Sequence, residues 1–387
     1  MNTLVLSTFN PDKEVSEVYF DTLLSCLDSF YSNTYPFQII LPKNGGGVLQ
    51  YEQLIEKLFA PYNDVSFIHD VRISDMTEVL LFYYGEALGM TDIFTCKPLE
   101  TSVIVKNPGE WYTKPDVMKY DTVLHMTSQL ATLGYNDPNT EKLMKEITFR
   151  KPTEIVVYTD SACFSACSVF TKGMKEHGSA ILVGFDVDPT KPGTDKFDVG
   201  QSPTAVVDLS ETFKYVSNSY DLINLGIDVR ISFRESFRYK YSYNETIPRE
   251  FLVDEIDERS QFNSYDDSML DKFTDYTNTI IEKYKTQCNP KNKRLVLVDS
   301  TCDETVKKID KHAFGGYSCG NDGKWNKAKC VIAHCDIGYL FDYDNQKCIP
   351  DVCNPIEEKE NNNNENNNGN VRMNIVLLII LIIVVLI

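Results

Sequence analysis

Along the chain, short all-apolar runs alternate with longer stretches in which apolar positions recur every three or four residues. "TLVLSTF" at 3–9 predicts a strand, closed by the turn Asn10-Pro11-Asp12. In "EVSEVYFDTLLSCLDSFYS" the apolar residues Val18, Phe20, Leu23, Leu24, Leu27 and Phe30 fit one face of an amphipathic helix. "FQIILP" predicts a short buried strand, "KNGGG" a turn, and "YEQLIEKLFAPY" a second helix that ends near Pro61. Residues 62–150 alternate short helical stretches with loops such as "KNPGEWYTKPD" and "GYNDPN". They predict a helical insertion that covers one side of the core as a lid.

The rhythm then resumes. "EIVVYT" predicts a strand, "SACSVFTKGMKEHG" a helix closed by Gly178, and "AILVGF" another strand. "TAVVDLS" and "DVRISF" are further strand candidates, and "MLDKFTDYTNTIIEKYKTQC" is a helix. Strand and helix alternating in this order predict an α/β core with crossover connections over residues 1–287.

Cysteine placement adds a second unit. Of 11 cysteines, Cys288, Cys302, Cys319, Cys330, Cys335, Cys348 and Cys353 crowd into one segment, 288–354. That density predicts a disulfide-stapled module made in an oxidising compartment. Seven is odd, so one thiol is left to be free or to pair outside the module. The spacings contain no C-x-x-C, and His312 and His334 form no H-x-x-x-H pair, which argues against zinc. No metal or organic cofactor is implied. The net charge of -18 argues against nucleic acid, which needs clustered Lys and Arg.

The C-terminus changes the expected location. Residues 355–374 include an Asn-rich run that cannot build a core. Residues 375–387 are 13 uninterrupted aliphatic residues, short for a spanning helix. A polar spacer before a short apolar tail fits a glycolipid-anchor signal, with attachment in Asn363 to Gly369; a short tail anchor is the alternative. Either puts the chain on a cell-surface or secretory-pathway membrane. The start "MNTLVLSTFNPDKEV" is not a secretory signal, so an upstream segment is expected in the natural protein. Asn244-Glu245-Thr246 is a glycosylation sequon, weak evidence by itself.

Two stretches could carry chemistry. In "QIILPKNGGGVLQ" a strand opens through three glycines into a helix. Glycine lets backbone N–H groups approach an oxyanion or phosphate, though such a run is also a plain flexible turn. In "IVVYTDSACFSACSVF" Ser165 stands where a helix begins. Such a serine is most often an N-cap, or else a nucleophile on a sharp strand-to-helix turn, with the Ala166 N–H stabilising the oxyanion. Ser161 and Ser168 are the fallbacks. Cys163 and Cys167 flank Ser165 and are expected to be buried small residues, a local disulfide being the other reading.

Together the two stretches resemble the tail-specific (C-terminal-processing) serine protease family over roughly residues 3–260. The family's first motif is a strand ending in Asp-Leu-Arg-x-Asn-x-Gly-Gly. Leu41, Asn44, Gly46 and Gly47 match it, while Ile40 and Pro42 replace the Asp and Arg. The second is an Asp five residues before Ser-Ala, a helix, and an apolar run ending in Gly; Asp160, Ser165, Ala166 and Gly184 match. The cysteines beside the serine are most similar to the eukaryotic branch related to the chlamydial protease-like activity factor.

The resemblance implies a crotonase/Clp-protease-like ββα core and a serine endopeptidase acting on protein or peptide substrates. It implies Ser165 as nucleophile and Gly46, Gly47 and Ala166 as oxyanion donors. Bacterial members use a Lys as base, to which Lys191 corresponds one residue out of step. The other branch uses a His N-terminal to the glycine motif, and no His precedes His69 here. His69, His125 and His177 are unconvincing bases by position. Glu245, with Glu235 behind it, is the candidate acidic member. The competing reading is a catalytically inactive surface protein that keeps the fold for peptide binding or adhesion.

Overall fold

The computed structural model describes residues 1–62 except 13, 68–75, 77–78, 90–93, 95–99, 110–120, 122–133, 149–160, 162–185, 197–200, 206–208, 224–227, 230–237, 248–342 and 345–351. At its centre is a five-stranded sheet of β1 (Asn2–Val5), β2 (Phe37–Leu41), β3 (Ile155–Thr159), β4 (Ile181–Gly184) and β5 (Glu258–Arg259), in that spatial order. Every neighbouring pair is parallel. The longer described helices between these strands in sequence are α1 (Ser16–Tyr31), α2 (Leu49–Phe59) and α3 (Ala166–Glu176). A fourth, α4 (Leu270–Tyr284), follows β5.

Parallel strands covered on both faces need apolar residues at successive positions, and "FQIIL", "IVVYT" and "ILVG" provide them. Phe37, Ile39, Leu41, Ile155, Val157 and Leu182 face a core completed by Leu27 of α1, Ile55 of α2 and Phe170 of α3. Ile40, Val156, Tyr158, Ile181 and Val183 face the opposite way, toward Phe273 and Tyr284 of α4. Gln38, a polar residue on that second face, is buried and accepts a 2.5 Å hydrogen bond from Thr277 of α4.

The cysteine-rich segment lies against this second face. Trp325 is buried there and its indole N–H donates to the Tyr284 carbonyl at 2.8 Å. Three disulfides staple the module: Cys288–Cys319, Cys302–Cys330 and Cys335–Cys348. Cys96 is also disulfide-bonded, and Cys26 on α1 is a free thiol. Cys353, the Asn-rich run and the apolar tail lie outside the described residues. Among the described residues no helix is long and apolar enough to cross a membrane.

The helical insertion needs correction. Among its described residues, helix is confined to Glu110–Thr113 and to Asp75, Thr77 and Glu78, beside five strands: Ile68–Val71, Met90–Asp92, Asp116–Tyr120, Val123–Thr127 and Ala131–Leu133. Short apolar runs do not separate helix from strand by period alone. Here Ile68–Val71 pairs with Arg234–Phe237, far away in sequence. The strand candidates near 205 and 230 hold as Val206–Asp208 and Arg230–Ser232, paired antiparallel.

Glu52 and Glu56, one turn apart on α2, are fully buried where α2 packs on α3. Gly173 makes room: a Cβ there would meet Glu56 Oε2 at 2.8 Å. Burial first, then the Glu56 charge and a hydrogen bond from that group, hold the Glu52 carboxyl protonated well above the usual carboxyl range. A raised folded-state pKa gives stability that is complete below pH 4.5 and is lost as pH rises toward the folded value. Glu52→Gln, which keeps the shape of the protonated carboxyl, should therefore raise the melting temperature at pH 7–8 and change it little at pH 4. Thermal unfolding at the two pH values checks this. An equal loss at both would mean that the amide costs packing or hydrogen bonding at this site regardless of titration.

Candidate active site

Neighbouring strands β2 and β3 run in register to Leu41 opposite Thr159. The loops that follow, 42–48 and 160–165, therefore leave the carboxyl edge of the sheet side by side, where open α/β sheets bind ligands. Asp160 ties the two together. Its buried carboxylate accepts the Lys43 N–H at 2.7 Å and the Ala162 N–H at 2.8 Å. A second tie is the Phe164 N–H donating to the Asn44 carbonyl at 3.1 Å.

The glycine loop is not a flexible turn. The fully buried Asn44 carboxamide donates to the Leu6 carbonyl at 3.0 Å and accepts the Gly46 N–H at 2.9 Å. Gly46 has φ +92°, and a Cβ there would stand 2.7 Å from Ser165 Cβ and 2.9 Å from the Ala166 nitrogen. Gly47 has φ +144°, and a Cβ would meet the Phe9 carbonyl carbon at 2.3 Å. One glycine admits the serine turn and the next admits the N-terminal strand.

Ser165 occupies the N-cap position of α3, but its side chain makes no capping hydrogen bond. Its backbone sits at φ 48°, ψ −122°, a region that costs a non-glycine residue energy and so needs support from its surroundings. The support is covalent as well as packed. Cys163 and Cys167 form a disulfide across the serine, which corrects the expectation of buried thiols. Both cysteines belong to the core with Phe170, whose ring lies 5.9 Å from that of Phe9. The result is a half-buried hydroxyl on a sharp turn from a buried strand into a buried helix, the layout of a nucleophile elbow.

The N–H of Ala166, the first residue of α3, has no acceptor within the helix, and the helix dipole adds positive potential there. Gly46 does not act as a second donor, because Asn44 takes its N–H. Gly47 bridges to Phe9 as a parallel strand would: Phe9 N–H bonds the Gly46 carbonyl, and Val48 N–H bonds the Phe9 carbonyl. That pattern turns the Gly47 N–H away from the Phe9 strand.

Beneath the elbow, α3 is anchored by ions. Lys172, almost wholly buried, donates to Asp198 at 2.9 Å, Asp254 at 3.2 Å and the Leu252 carbonyl at 2.7 Å. Arg249 holds Glu176 at 2.6 Å and Asp254 at 3.3 Å, and Lys175 holds Asp257 at 2.5 Å. Burial pushes the Asp198 carboxyl up, against the opposing pull of Lys172. Lys172 lies three residues after Val169, on the helix's buried face; sequence reasoning missed it because a lysine there reads as a solvated charge.

Other site expectations fall elsewhere. Lys191, Asn244, Glu245 and Ser161 lie outside the described residues. Ser168 is a buried helix residue packed under Gly200, where a Cβ would meet its hydroxyl at 2.5 Å. His177 caps the far end of α3. His69 is buried in the strand Ile68–Val71. Glu235, the second candidate for the acidic member, is buried in the neighbouring strand; it pairs with Arg72, and His125 Nε2 lies 3.7 Å away. Its strand, Arg234–Phe237, is the edge strand of a four-stranded sheet and pairs with Ile68–Val71, with Glu235 opposite Asp70.

No protein-family model matches the chain. No curated protein matches it either. Solved structures similar to it include mature CPAF complexed with lactacystin, at 13% identity and TM-score 0.38, covering 73% of this chain and 51% of that one. Mature CPAF alone gives 13% identity and TM-score 0.36, covering 73% and 50%. A candidate peptidase from Parabacteroides merdae gives 12% identity and TM-score 0.34, covering 73% and 61%. The chain thus spans about half the length of the CPAF chains. Likeness at this level carries no argument about activity, which rests on the geometry of the elbow.

Proposed function

We propose that the chain carries the acyl-transfer centre of a serine peptidase. Ser165 attacks the scissile carbonyl of a protein or peptide substrate. The Ala166 N–H, with the Gly47 N–H beside it, holds the oxyanion as negative charge develops. The observation that carries this reading is the conformation of Ser165: a non-glycine residue at φ 48° whose hydroxyl is not used for capping. A mere capping serine needs no such backbone. Asp160 and Asn44 are positioning residues that hold the oxyanion loop against the elbow.

A serine hydroxyl also needs a base. In this reading the base is Lys191 or a histidine supplied from outside the present sequence, and Glu245 is the acidic member. Attachment to a membrane by the apolar tail, and glycosylation at Asn244, belong to the same proposal. The alternative, an inactive peptide-binding surface protein, is favoured by Ile40 and Pro42 standing where the resembling family has Asp and Arg.

Labelling by a fluorophosphonate decides between them. The folded protein should take up the probe, and mass spectrometry of the digested adduct should place it on Ser165. A folded, N-terminally extended protein that takes up no probe would favour the inactive reading.

A further inference from the structure

A cavity of about 220 Å³ opens between the α/β body and the cysteine-rich module, far from the elbow at the other end of α3. Its walls have two characters. Leu340, Phe341 and Val331 give an apolar side, while Lys293 and Arg294 give a cationic one, with His177 and His334 beside them. Among the described residues that line it, none is acidic. In a chain with 56 acidic and 38 basic residues, a pocket with only positive formal charge is a local reversal. Arg294 also lies 3.9 Å from Glu176, which balances part of its charge, and Lys293 is exposed.

The cavity is preformed. Cys335 in its wall is bonded to Cys348. The His334 ring is stacked between Tyr62, 4.2 Å away, and Phe314, 4.5 Å away. The His334 Nδ1 lies 3.2 Å from the Cys335 carbonyl, so that nitrogen carries the proton and Nε2 is left as an acceptor. Burial keeps the imidazole neutral by lowering its pKa to about 4. Rigid walls reduce the ordering cost of binding.

We infer that this cavity is a binding site for a small organic anion, one carboxylate head on a ring-sized apolar body. The carboxylate faces Lys293 and Arg294, and the body lies against Leu340, Phe341 and Val331. Size supports this class: a dry cavity of about 150 Å³ holds benzene, so the larger space here admits a ring with a short acidic arm. It lies below the roughly 300 Å³ at which pockets for drug-sized ligands begin, so the ligand is smaller than that class.

Calorimetric titration of the full chain with 3-phenylpropionate, and with its neutral amide, tests the site. The acid should bind about tenfold more tightly than the amide, the scale of a hydrogen bond to a charged group, and the difference should shrink with added salt. Lys293→Gln, a surface change that leaves the fold intact, should weaken the acid and leave the amide unchanged. Lys293→Gln with Arg294→Gln should make the two ligands equal. The inference is overturned if the acid gives no binding heat, if acid and amide bind alike, or if Lys293→Gln leaves the acid's affinity unaltered. Fluorophosphonate labelling of Ser165 is a separate readout, so either result stands without the other.

Discussion

Ser165→Ala abolishes fluorophosphonate labelling and any peptidase activity while the protein melts where the parent does. Ser165→Gly abolishes both and melts higher. The pair separates the two things that this residue does. Losing a nucleophile that works as part of a unit costs as much as ~10⁶ in kcat. Alanine removes the hydroxyl but still holds φ at 48°, so it keeps the strain. Glycine removes both. Relief of a strained backbone position is worth about 1–3 kcal/mol, offset in part by glycine's extra unfolded-state entropy of about 0.5–1 kcal/mol. The hydroxyl makes no capping bond whose loss would counteract this gain. Labelling of Ser165→Ala at the parental rate would remove Ser165 from the chemistry. A lower melting temperature for Ser165→Gly would show that the turn is not strained.

The second large effect is on stability. Lys172→Met removes the cation that Asp198 and Asp254 share and leaves their carboxylates in a buried site. Breaking a buried pair from one side costs about 3–5 kcal/mol, enough to unfold a marginal domain. The sign of the pH dependence follows. Burial already raises the Asp198 pKa, and Lys172 opposes that shift. Without the lysine the folded-state pKa rises further, so the variant's deficit grows as pH rises through the carboxyl range and shrinks as Asp198 is protonated in acid. Denaturant unfolding at pH 7 and pH 4.5 measures it: the loss should be larger at pH 7. Adding Asp198→Asn should restore part of it. A deficit independent of pH, with no rescue, would place the cost in lost packing.

These effects also mark what the sequence made legible. β2, β3 and β4 are continuous apolar runs because both faces of their sheet are covered, and such runs can be read directly. Ser165 and the glycine run can be read for the same reason: a turn between such elements leaves few conformations open. The roles of Asn44 and Asp160 cannot be read. Each acts through backbone groups of a loop brought near only by pairing of β2 with β3. The strands of the insertion are hard to tell from helix in the sequence because they are only three to five residues long, and one of them, Ile68–Val71, finds a partner as distant as Arg234–Phe237, of which local periodicity contains no trace. Lys172 and Glu235 were hidden in another way. Charged residues look solvated until the opposite charge that buries them is found.

The tie from Asp160 to Lys43 spans 117 residues, whereas the disulfide across Ser165 spans only 4. These separations give the site an order of assembly. Closing a short loop takes far less time than forming distant parallel strand pairs. The serine's turn can be locked by its disulfide as soon as its own helix has been made and the two thiols can oxidise. The glycine loop, made much earlier by the ribosome, must wait for β3 before it acquires its shape. In a nascent chain the serine turn and the glycine loop therefore come together only when β2 and β3 pair.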